Sequence, residues 1–422
     1  MSENKLVEVG ANPADIERNR ALGAGKIDDP YPRYDELRAS GPVHAGSISE
    51  AFGIEDAIAG FGWRDRPQFA CYDWETVDAV LRDAETYSSE TYEFSLGAVI
   101  GRSMIQMGGP EHRRYRALIQ PFFTRKEIAG WRTRWVQPTV DRILDEIVEQ
   151  AEPVDLYATL CAKLPVFTIA SSFGVAPEDV DRFHELAVTQ TGATNSPQDR
   201  LRAAQEIADY LTNVIELRRR EGGDDLIGVL CNVELKDPED GSLQRLSDAE
   251  ILAFARLMLP AGSGTTYRML GCLLFALLKN DQIDRVRSDR SLLDPAIEEC
   301  MRWEQPLTTA MRLATRDTEL AGVKIPEGSV VHACLGAANH DPARYQDPDR
   351  FDIDREKKPH STFGIGPHLC IGMHLARTEI RAAIEGVLDR LPELRLDPDQ
   401  PDPWITGLLF RMPTAVPVIF DA

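Results

Sequence analysis

The chain has 422 residues, of which 43% are hydrophobic and 27% charged, and this composition is typical of a folded globular protein. Its formal net charge of −21 at pH 7 argues against binding to nucleic acid or to an anionic membrane surface, since both would repel it. The seven cysteines form no CxxC pair, which argues against a disulfide framework and predicts mostly buried, reduced thiols in a cytoplasmic protein.

Short elements separated by loops are predicted for the first part of the chain. Residues 1–24 are polar and predict a flexible N-terminal segment without a secretory signal. PYPRYDELRAS predicts a helix, QFACY a strand, and Asp73 the start of a second helix. Residues 45–67 mix apolar side chains with glycines and predict an insertion, either a loop or a small helix. Residues 86–108 predict an irregular connection of the kind that tends to be functional.

Helical patterns dominate the middle of the chain and include one unusually long helix. A capping box of Ser247 and Glu250 predicts its start, and the apolar run ends near Asn280, about 33 residues and roughly 50 Å further on. A membrane span is excluded, because Arg256 and Arg268 interrupt the apolar stretch. The sequence therefore predicts a long buried helix at the centre of a large protein.

Beyond residue 306, short strands such as VKIPEGSVVHACLG alternate with proline-rich loops, a long helix predicted at 371–389 and a strand-rich tail. No break in composition separates the helical and the strand-rich parts. Residues 25–422 therefore predict one large domain that is mainly α-helical with small β-sheets.

The central helix contains poor helix formers in the stretch LPAGSGTT, which begins at Leu259. A phosphate-binding loop is excluded there, because the P-loop pattern needs a lysine and a preceding strand. From the residues alone a tolerated kink also explains the stretch, since proline lacks a backbone N–H and bends a helix.

A second unusual stretch, STFGIGPHLCIGMHLAR, places one cysteine between glycines just before a helical run. A thiolate of Cys370 at that helix N-terminus would have a lowered pKa, because backbone N–H groups and the helix dipole stabilise negative charge. Gly364, Gly366 and Gly372 would let the backbone approach a flat group closely, and Phe363 would shield the sulfur. These features fit a cysteinate ligand of haem iron, whereas a lone cysteine without them is an ordinary buried hydrophobe.

The pattern F-G-x-G-x-H-x-C-x-G resembles the cysteine loop of the cytochrome P450 superfamily in its soluble bacterial form, and the similarity extends over nearly the whole chain. The resemblance implies the P450 fold, with haem b between the long central helix and the helix after the cysteine loop. It implies that Cys370 is the axial metal ligand. GGPEHRRYR, MRLATRD and the cysteine loop are similar to the segments that bind the haem propionates, through His112, Arg116, Arg312 and His368.

The family's E-x-x-R motif matches Glu299 and Arg302 in EECMRW, and its arginine partner matches Arg350 in DPDRFDIDR. The resemblance implies a structural Glu–Arg–Arg network that holds the haem-binding core together. From the residues alone, Glu299 and Arg302 form an ordinary i,i+3 ion pair worth about 0.2–0.5 kcal/mol.

AGSGTT in the central helix is similar to the family pattern A/G-G-x-D/E-T-T at the oxygen-binding site, and Pro260 predicts a bend there. The resemblance implies catalytic roles for Thr265, whose hydroxyl would help to deliver protons to dioxygen, and for its neighbours. Gly264 stands where an acid is usual, so the expected carboxylate of the proton relay is missing. We expect protons to come from the hydroxyls of Ser263, Thr265 and Thr266 or from a substrate group. The enzyme then either releases more peroxide than related enzymes or uses a different acid.

The resemblance also implies substrate-facing segments, which are mostly apolar here and predict a hydrophobic small molecule such as a terpenoid, steroid, fatty acid or aromatic. Plain core packing explains each of these side chains equally well. The sequence shows no evident buried lysine or arginine for a substrate carboxylate, with Arg411 as the one candidate. The segments contribute Phe94, Leu96, Val99, Ile100, Leu307, Thr309, Leu408 and Phe410.

Electrons are expected from a separate ferredoxin and ferredoxin reductase, ultimately from NAD(P)H, because the chain has no flavin or iron–sulfur motif. An acidic carrier needs a basic patch near Cys370, for which Arg113, Arg114 and Arg377 are the candidates. The predicted function is insertion of one oxygen atom of O₂ into a C–H bond. The alternatives are a haem-thiolate ligand-binding or sensor protein without turnover, and a peroxide-driven haem oxygenase.

Overall fold

The computed structural model describes residues 27–54, 65–93, 101–150, 153–191, 196–236 and 241–421. The predicted N-terminal segment 1–24 lies outside these ranges. None of the helices described is long and apolar enough to cross a membrane. The α-helices of these ranges are α1 (Tyr31–Ser40), α2 (Ile48–Ala51), α3 (Trp74–Arg82), α4 (Gly109–Ile119), α5 (Arg125–Trp131), α6 (Gln137–Gln150), α7 (Lys163–Ser172), α8 (Val180–Thr191), α9 (Pro197–Glu221), α10 (Leu226–Asn232), α11 (Asp248–Met258), α12 (Gly264–Lys279), α13 (Ile283–Ser288), α14 (Leu293–Trp303), α15 (Leu335–Asn339) and α16 (Met373–Arg390).

The strands of the same ranges are short, and they are β1 (Val43–Ala45), β2 (Gln68–Cys71), β3 (Tyr87–Ser88), β4 (Val154–Asp155), β5 (Leu235–Lys236), β6 (Leu243–Gln244), β7 (Ala310–Ala314), β8 (Thr318–Leu320), β9 (Val323–Ile325), β10 (Val330–Ala333), β11 (Arg395–Leu396), β12 (Ile405–Thr406), β13 (Met412–Pro413) and β14 (Pro417–Ile419). The largest sheet has the order β1–β2–β10–β7–β3, in which only β2 and β10 pair in parallel. A second sheet has the order β11–β14–β4, and three hairpins pair β12 with β13, β5 with β6 and β8 with β9.

The predicted insertion at 45–67 connects β1 to β2, which pair antiparallel. The small helix α2 begins after Ser47, whose hydroxyl accepts a hydrogen bond from the Glu50 N–H at 3.1 Å. The Glu50 carboxylate in turn accepts from the Ser47 N–H at 2.8 Å, which completes a capping box. Residues 55–64 of this connection lie outside the described ranges.

The long central helix consists of α11 and α12, joined by a π-helical turn at Leu259–Ser263. Its predicted capping box is present, since the Ser247 hydroxyl accepts from the Glu250 N–H at 3.2 Å and the Glu250 carboxylate accepts from the Ser247 N–H at 2.8 Å. Pro260 lies in the π-helical turn, where the wider backbone accommodates a residue that has no N–H to donate. The helix is therefore continuous through Pro260 and is locally widened there.

The central helix lies in the hydrophobic core, where α12 packs against α14, α16 and β13. Gly271 lets α12 approach the helical segment Tyr157–Cys161 closely, because a Cβ atom at that position would lie 2.5 Å from the ring of Tyr157. The cysteine loop comes directly before α16, so the same packing fixes that loop relative to the π-helical turn.

Candidate active site

The cysteine loop is a tight structure that needs its glycines. The N–H of Cys370 donates to the carbonyl of Phe363 at 2.8 Å, which closes the loop. Gly364 and Gly366 have φ values of +73° and +75°, a left-handed conformation that side chains disfavour. A Cβ atom on Gly366 would also lie 2.6 Å from the carbonyl oxygen of Leu81 in α3. The loop is therefore held against α3 at a distance that only glycine allows.

The sulfur of Cys370 lies at the surface of this loop, while the other six cysteines are buried free thiols, as the sequence predicts. The surrounding protein still desolvates the thiol enough to raise its pKa, although the Gly372 amide and the charges of Arg116 and Arg377 act in the opposite direction. The expectation that the helix N-terminus lowers this pKa is wrong for the protein alone, because desolvation outweighs the amide. A bound metal cation would favour the thiolate instead.

Four predicted binders of haem carboxylates converge beside the cysteine loop. The rings of His112 and His368 lie 4.2 Å apart, and Arg116 Nη1 donates to the carbonyl of Pro367 at 3.1 Å. Burial lowers the pKa of His368 to about 3, and the charges of His112, Arg312 and Arg116 add to the shift. Burial likewise lowers the pKa of His112 to about 4. These residues form a positive site in which both imidazoles are neutral at pH 7.

This cluster fits a group that brings buried carboxylates, as haem does. His112 is 3% exposed, and its Nε2 has no hydrogen-bond partner among the described residues. Arg312 is 5% exposed and forms no ion pair with any described residue, while its Nη1 donates to the carbonyl of Met311 at 2.8 Å. Buried polar groups without partners are costly, and an anionic acceptor would satisfy them.

The π-helical turn widens the central helix beside the predicted catalytic residues. The Ser263 hydroxyl donates to the carbonyl of Leu259, and the Thr265 hydroxyl donates to the carbonyl of Ala261 at 2.9 Å. Ala261 is exposed and Thr265 is half-buried, whereas Thr266 is 3% exposed. Thr265 therefore keeps accessible surface beside the turn, and Thr266 lies in the core.

A cation occupies the space beside Gly264, where the family pattern has an acid. Arg268 lies one turn further along α12, and its Nη1 donates to the Gly264 carbonyl at 2.5 Å. A Cβ atom on Gly264 would lie 3.3 Å from the same nitrogen. The guanidinium carbon of Arg268 lies 4.6 Å from the ring centroid of Tyr267 and 4.8 Å from that of Phe410.

Comparison with known proteins identifies the family. The cytochrome P450 family model matches residues 193–414, just over half of the chain. The cytochrome P450 monooxygenase PikC of Streptomyces venezuelae is 35% identical over 92% of this chain and 91% of its own length. The chain belongs to the cytochrome P450 family. The predicted family is confirmed, and membership implies a monooxygenase with a haem cofactor.

Solved P450 structures have the same fold. The ligand-free P450 monooxygenase TamI gives a TM-score of 0.80 at 30% identity and covers 93% of this chain and 92% of its own. CYP109E1 from Bacillus megaterium, in complex with testosterone, gives a TM-score of 0.80 at 28% identity and covers 93% and 100%. The predicted single-domain architecture, mainly helical with small sheets, is thus that of solved P450s.

The predicted Glu–Arg–Arg network of this P450 is present with one correction. Glu299 accepts hydrogen bonds from Arg302 Nε and Nη2 at 2.9 and 2.8 Å. The second arginine is Arg355, whose Nε donates to Glu299 Oε1 at 3.0 Å. Arg350 is exposed, and it contributes only its carbonyl, which accepts from Arg302 and Arg355 at 3.2 and 2.9 Å. The assignment of the Arg350 side chain to the network is therefore wrong.

Two of the predicted substrate-facing segments of this P450 meet in the structure. Leu307 and Phe410 form an isolated antiparallel bridge. Leu307 is half-buried and Phe410 is 43% exposed, so both side chains have accessible surface. The four candidates from the segment near residues 90–105 lie outside the described residues, and these are Phe94, Leu96, Val99 and Ile100.

Two other substrate candidates belong to the core, as the alternative of plain packing predicts. Leu408 is fully buried and packs in a cluster with Tyr31 and Tyr34 of α1. Thr309 is 6% exposed and lies beside Cys334. Neither side chain contributes to an accessible pocket surface.

Arg411 is also unavailable to a substrate. It is 2% exposed, and its Nε and Nη2 donate to the two carboxylate oxygens of Glu304 at 2.7 and 3.0 Å. The hydroxyl of Tyr31 donates to Glu304 as well, at 2.9 Å. Arg411 therefore ties the C-terminal hairpin to α1 and α14, and the expectation that it binds a substrate carboxylate is wrong.

The candidate basic patch of this P450 is partly neutralised. Arg114 forms an ion pair with Glu250 at 2.6 Å, and Arg377 forms one with Glu298 at 2.5 Å. Arg113 is exposed and lies at a surface depression of about 250 Å³ that it shares with His112 and Arg116. Of the three predicted residues, Arg113 alone presents a charge without an ion pair among the described residues.

Proposed function

We propose that this P450 inserts one oxygen atom of O₂ into a C–H bond of a hydrophobic small molecule, with haem b as its cofactor. The observation that carries the proposal is the position of Cys370. It is the exposed cysteine among seven, and it lies in a glycine loop whose following helix packs against the opened central helix. Haem bound through this thiolate supplies the activation of O₂, because the thiolate donates electron density to the iron.

The residues around Cys370 have the chemistry to hold the haem. We assign the propionates to four side chains that converge beside the cysteine loop, because two arginines supply positive charge there and the buried Nε2 of His112 has no partner among the described residues. Gly364 and Gly372 leave the backbone free to approach the haem plane, and Phe363 borders the sulfur. The four propionate-binding side chains are His112, Arg116, Arg312 and His368.

Proton delivery is assigned to Thr265. Its side chain is half-buried and its hydroxyl donates to the Ala261 carbonyl at 2.9 Å, so its oxygen remains free to accept from water. Thr266 is buried and Gly264 has no side chain, which leaves Thr265 and the Ser263 hydroxyl as the proton-handling groups of this turn. Because no carboxylate feeds the relay from position 264, we expect slower proton supply and release of hydrogen peroxide.

The accessible part of the substrate wall is apolar, which supports a hydrophobic substrate. Leu307 and Phe410 supply this surface, and CYP109E1 was solved with testosterone, a molecule of that class. The electron donors are proposed to be a ferredoxin and its reductase, since the chain itself has no flavin or iron–sulfur motif. Arg113 is exposed, lines the same surface depression as His112 and Arg116, and is the proposed contact for an acidic carrier.

The test uses the haem-loaded protein. Carbon monoxide added after reduction should give the absorption band of a thiolate-ligated haem, which Cys370→Ser should abolish and Cys231→Ala, at a buried cysteine, should retain. With ferredoxin, reductase and NAD(P)H, a bound hydrophobic compound should acquire one atom from ¹⁸O₂. Retention of the band in Cys370→Ser contradicts the ligand assignment. Binding without any oxygenated product favours the sensor alternative, and product from peroxide alone favours the peroxide-driven one.

A further inference from the structure

We propose that Arg268 is a specificity-determining residue of the oxygenation site, and that the substrate carries a carboxylate which this guanidinium binds. The proposal rests on the proposed function, to which it adds the polar end of the substrate. The observation behind it is a half-buried cation beside the opened turn of the central helix, in contact with the predicted substrate wall.

The guanidinium of Arg268 lies where a substrate would pass it. Its Nη1 is 2.5 Å from the Gly264 carbonyl, so the side chain folds back along the helix toward the level of Thr265. Its guanidinium carbon lies 4.8 Å from the ring centroid of Phe410, a side chain with accessible surface. A molecule that touches Phe410 and approaches Thr265 therefore comes within reach of this charge.

No described residue supplies a counter-charge to Arg268. An arginine has five N–H donors; here one hydrogen bond is made to a backbone carbonyl, and Nε has no partner among the described residues. Two buried arginines of this P450 are paired, Arg302 with Glu299 and Arg411 with Glu304. The third, Arg312, has no ion pair among the described residues and is assigned to a haem propionate. Residues 94–100, which lie outside the described ranges, have the sequence FSLGAVI and contain no acid.

Gly264 explains why the central helix itself supplies no counter-charge to Arg268. An acid at position 264 would face Arg268 at i,i+4 spacing and would neutralise it. With glycine there, the guanidinium keeps its charge and takes up the space of the missing carboxylate, as the 3.3 Å approach to a virtual Cβ indicates. Glycine at position 264 thus removes the acid of the family pattern, and the guanidinium of Arg268 at the same place can bind an anion from the substrate.

A partly desolvated arginine distinguishes acids from neutral analogues. A carboxylate can form two parallel charge-assisted hydrogen bonds with the guanidinium fork, in a setting where water competes less than at the surface. A neutral ester or an alkane gains neither bond and still has to desolvate the cation. We therefore expect the binding site to prefer the acid over its ester, with the hydrocarbon part of the substrate against Leu307 and Phe410.

The test compares matched probes on the haem-loaded enzyme. Dissociation constants of dodecanoic acid and methyl dodecanoate, and of 4-phenylbenzoic acid and its methyl ester, are measured by calorimetry and by the haem absorption shift. The wild type should bind at least one acid about tenfold more tightly than its ester. Arg268→Gln should reduce this ratio to about one, and Arg268→Lys should retain part of it because a point charge remains. Arg285→Gln, at an exposed arginine of α13 paired with Asp354, should leave the ratio unchanged.

Equal affinity for acid and ester in the wild type across both pairs, or no acid binding at all, overturns the proposal. A preference that persists in Arg268→Gln overturns it as well. Thermal unfolding of each variant shows whether a loss of binding reflects a loss of fold, and Arg268→Lys keeps the test decisive if the glutamine variant is unstable. Calorimetry needs no electron donor, so an enzyme that prefers acids but forms no product refutes the oxygenase proposal and leaves this one standing.

Discussion

Replacing Gly264 by Asp restores the acid that the family pattern places before the threonine, and Arg268 determines what that acid does. The new Cβ would lie 3.3 Å from Arg268 Nη1, so the carboxylate would be within reach of an ion pair. An ion-paired carboxylate remains ionised and does not donate a proton readily. We therefore expect Gly264→Asp alone to be a poor repair of the proton relay.

The expected changes in product formed per NAD(P)H follow from two roles that compete for the new carboxylate, the ion pair with Arg268 and proton donation. An i,i+4 ion pair on a helix is worth about 0.2–0.5 kcal/mol, and the half-buried position of Arg268 favours the upper end. A positioned general acid contributes about 10²–10⁴-fold to a proton-transfer step. Gly264→Asp should thus change the product formed per NAD(P)H by less than about twofold, while Gly264→Asp with Arg268→Gln should raise it by about twofold or more.

The assay follows product, hydrogen peroxide and NAD(P)H consumption at saturating substrate, in the wild type, both single variants and the double variant. Saturation is needed because Arg268→Gln is expected to weaken substrate binding. If coupling is already near complete in the wild type and falls in both Asp variants, the idea of a deficient relay is wrong. If Gly264→Asp alone matches the double variant, the ion-pair reasoning is wrong.

Three further predictions concern the scaffold and the pocket wall. Arg355→Gln should lower the free energy of unfolding by about 2 kcal/mol, since buried Glu299 loses one of its two arginine partners and keeps Arg302, and Arg350→Gln should change it by less than about 0.5 kcal/mol in the same denaturant titration. Burial raises the pKa of Glu379 from 4.5 to about 8, so the folded protein retains a proton that the unfolded chain releases, and stability falls as pH rises between these values. Glu379→Gln should therefore show a smaller decrease in Tm from pH 5 to pH 8, and an equal decrease would contradict the assignment. Phe410→Ala should change KM and the absorption shift with little loss of stability, whereas Leu408→Ala should cost about 2–5 kcal/mol of stability, and the reverse pattern would exchange their roles.

Features that depend on local chemistry could be predicted from the sequence. The capping box of Ser247 and Glu250 requires only two side chains at a fixed spacing, and both of its hydrogen bonds are present. The glycines of the cysteine loop follow from backbone geometry, since the left-handed φ at Gly364 and Gly366 excludes most other residues. The long helix through Pro260 was predicted as well, but its continuity depends on a π-helical turn that no local pattern specifies.

Features that depend on packing could not be predicted in the same way. DPDRFDIDR contains two arginines, and only the folded loop determines that Arg355 reaches Glu299 while the side chain of Arg350 is exposed. The direction of the Cys370 pKa shift depends on desolvation by residues far away in the chain, which the helix N-terminus argument leaves out. How strongly the fold desolvates the Cys370 thiol cannot be read from the sequence.

The two arginines considered for substrate binding show the same limit and define the most informative experiment. Arg411 follows a predicted substrate segment, yet it is 2% exposed and its charge is neutralised by Glu304, which lies 107 residues earlier in the chain. Arg268 lies in the long, mostly apolar central helix. Its charge is available to a substrate anion because position 264 of the same helix has no acid. A sequence signal did exist, since a glycine in place of the acid and an arginine four residues later share one helix face. The acid–ester comparison in Arg268→Gln therefore tests whether that coincidence selects the substrate.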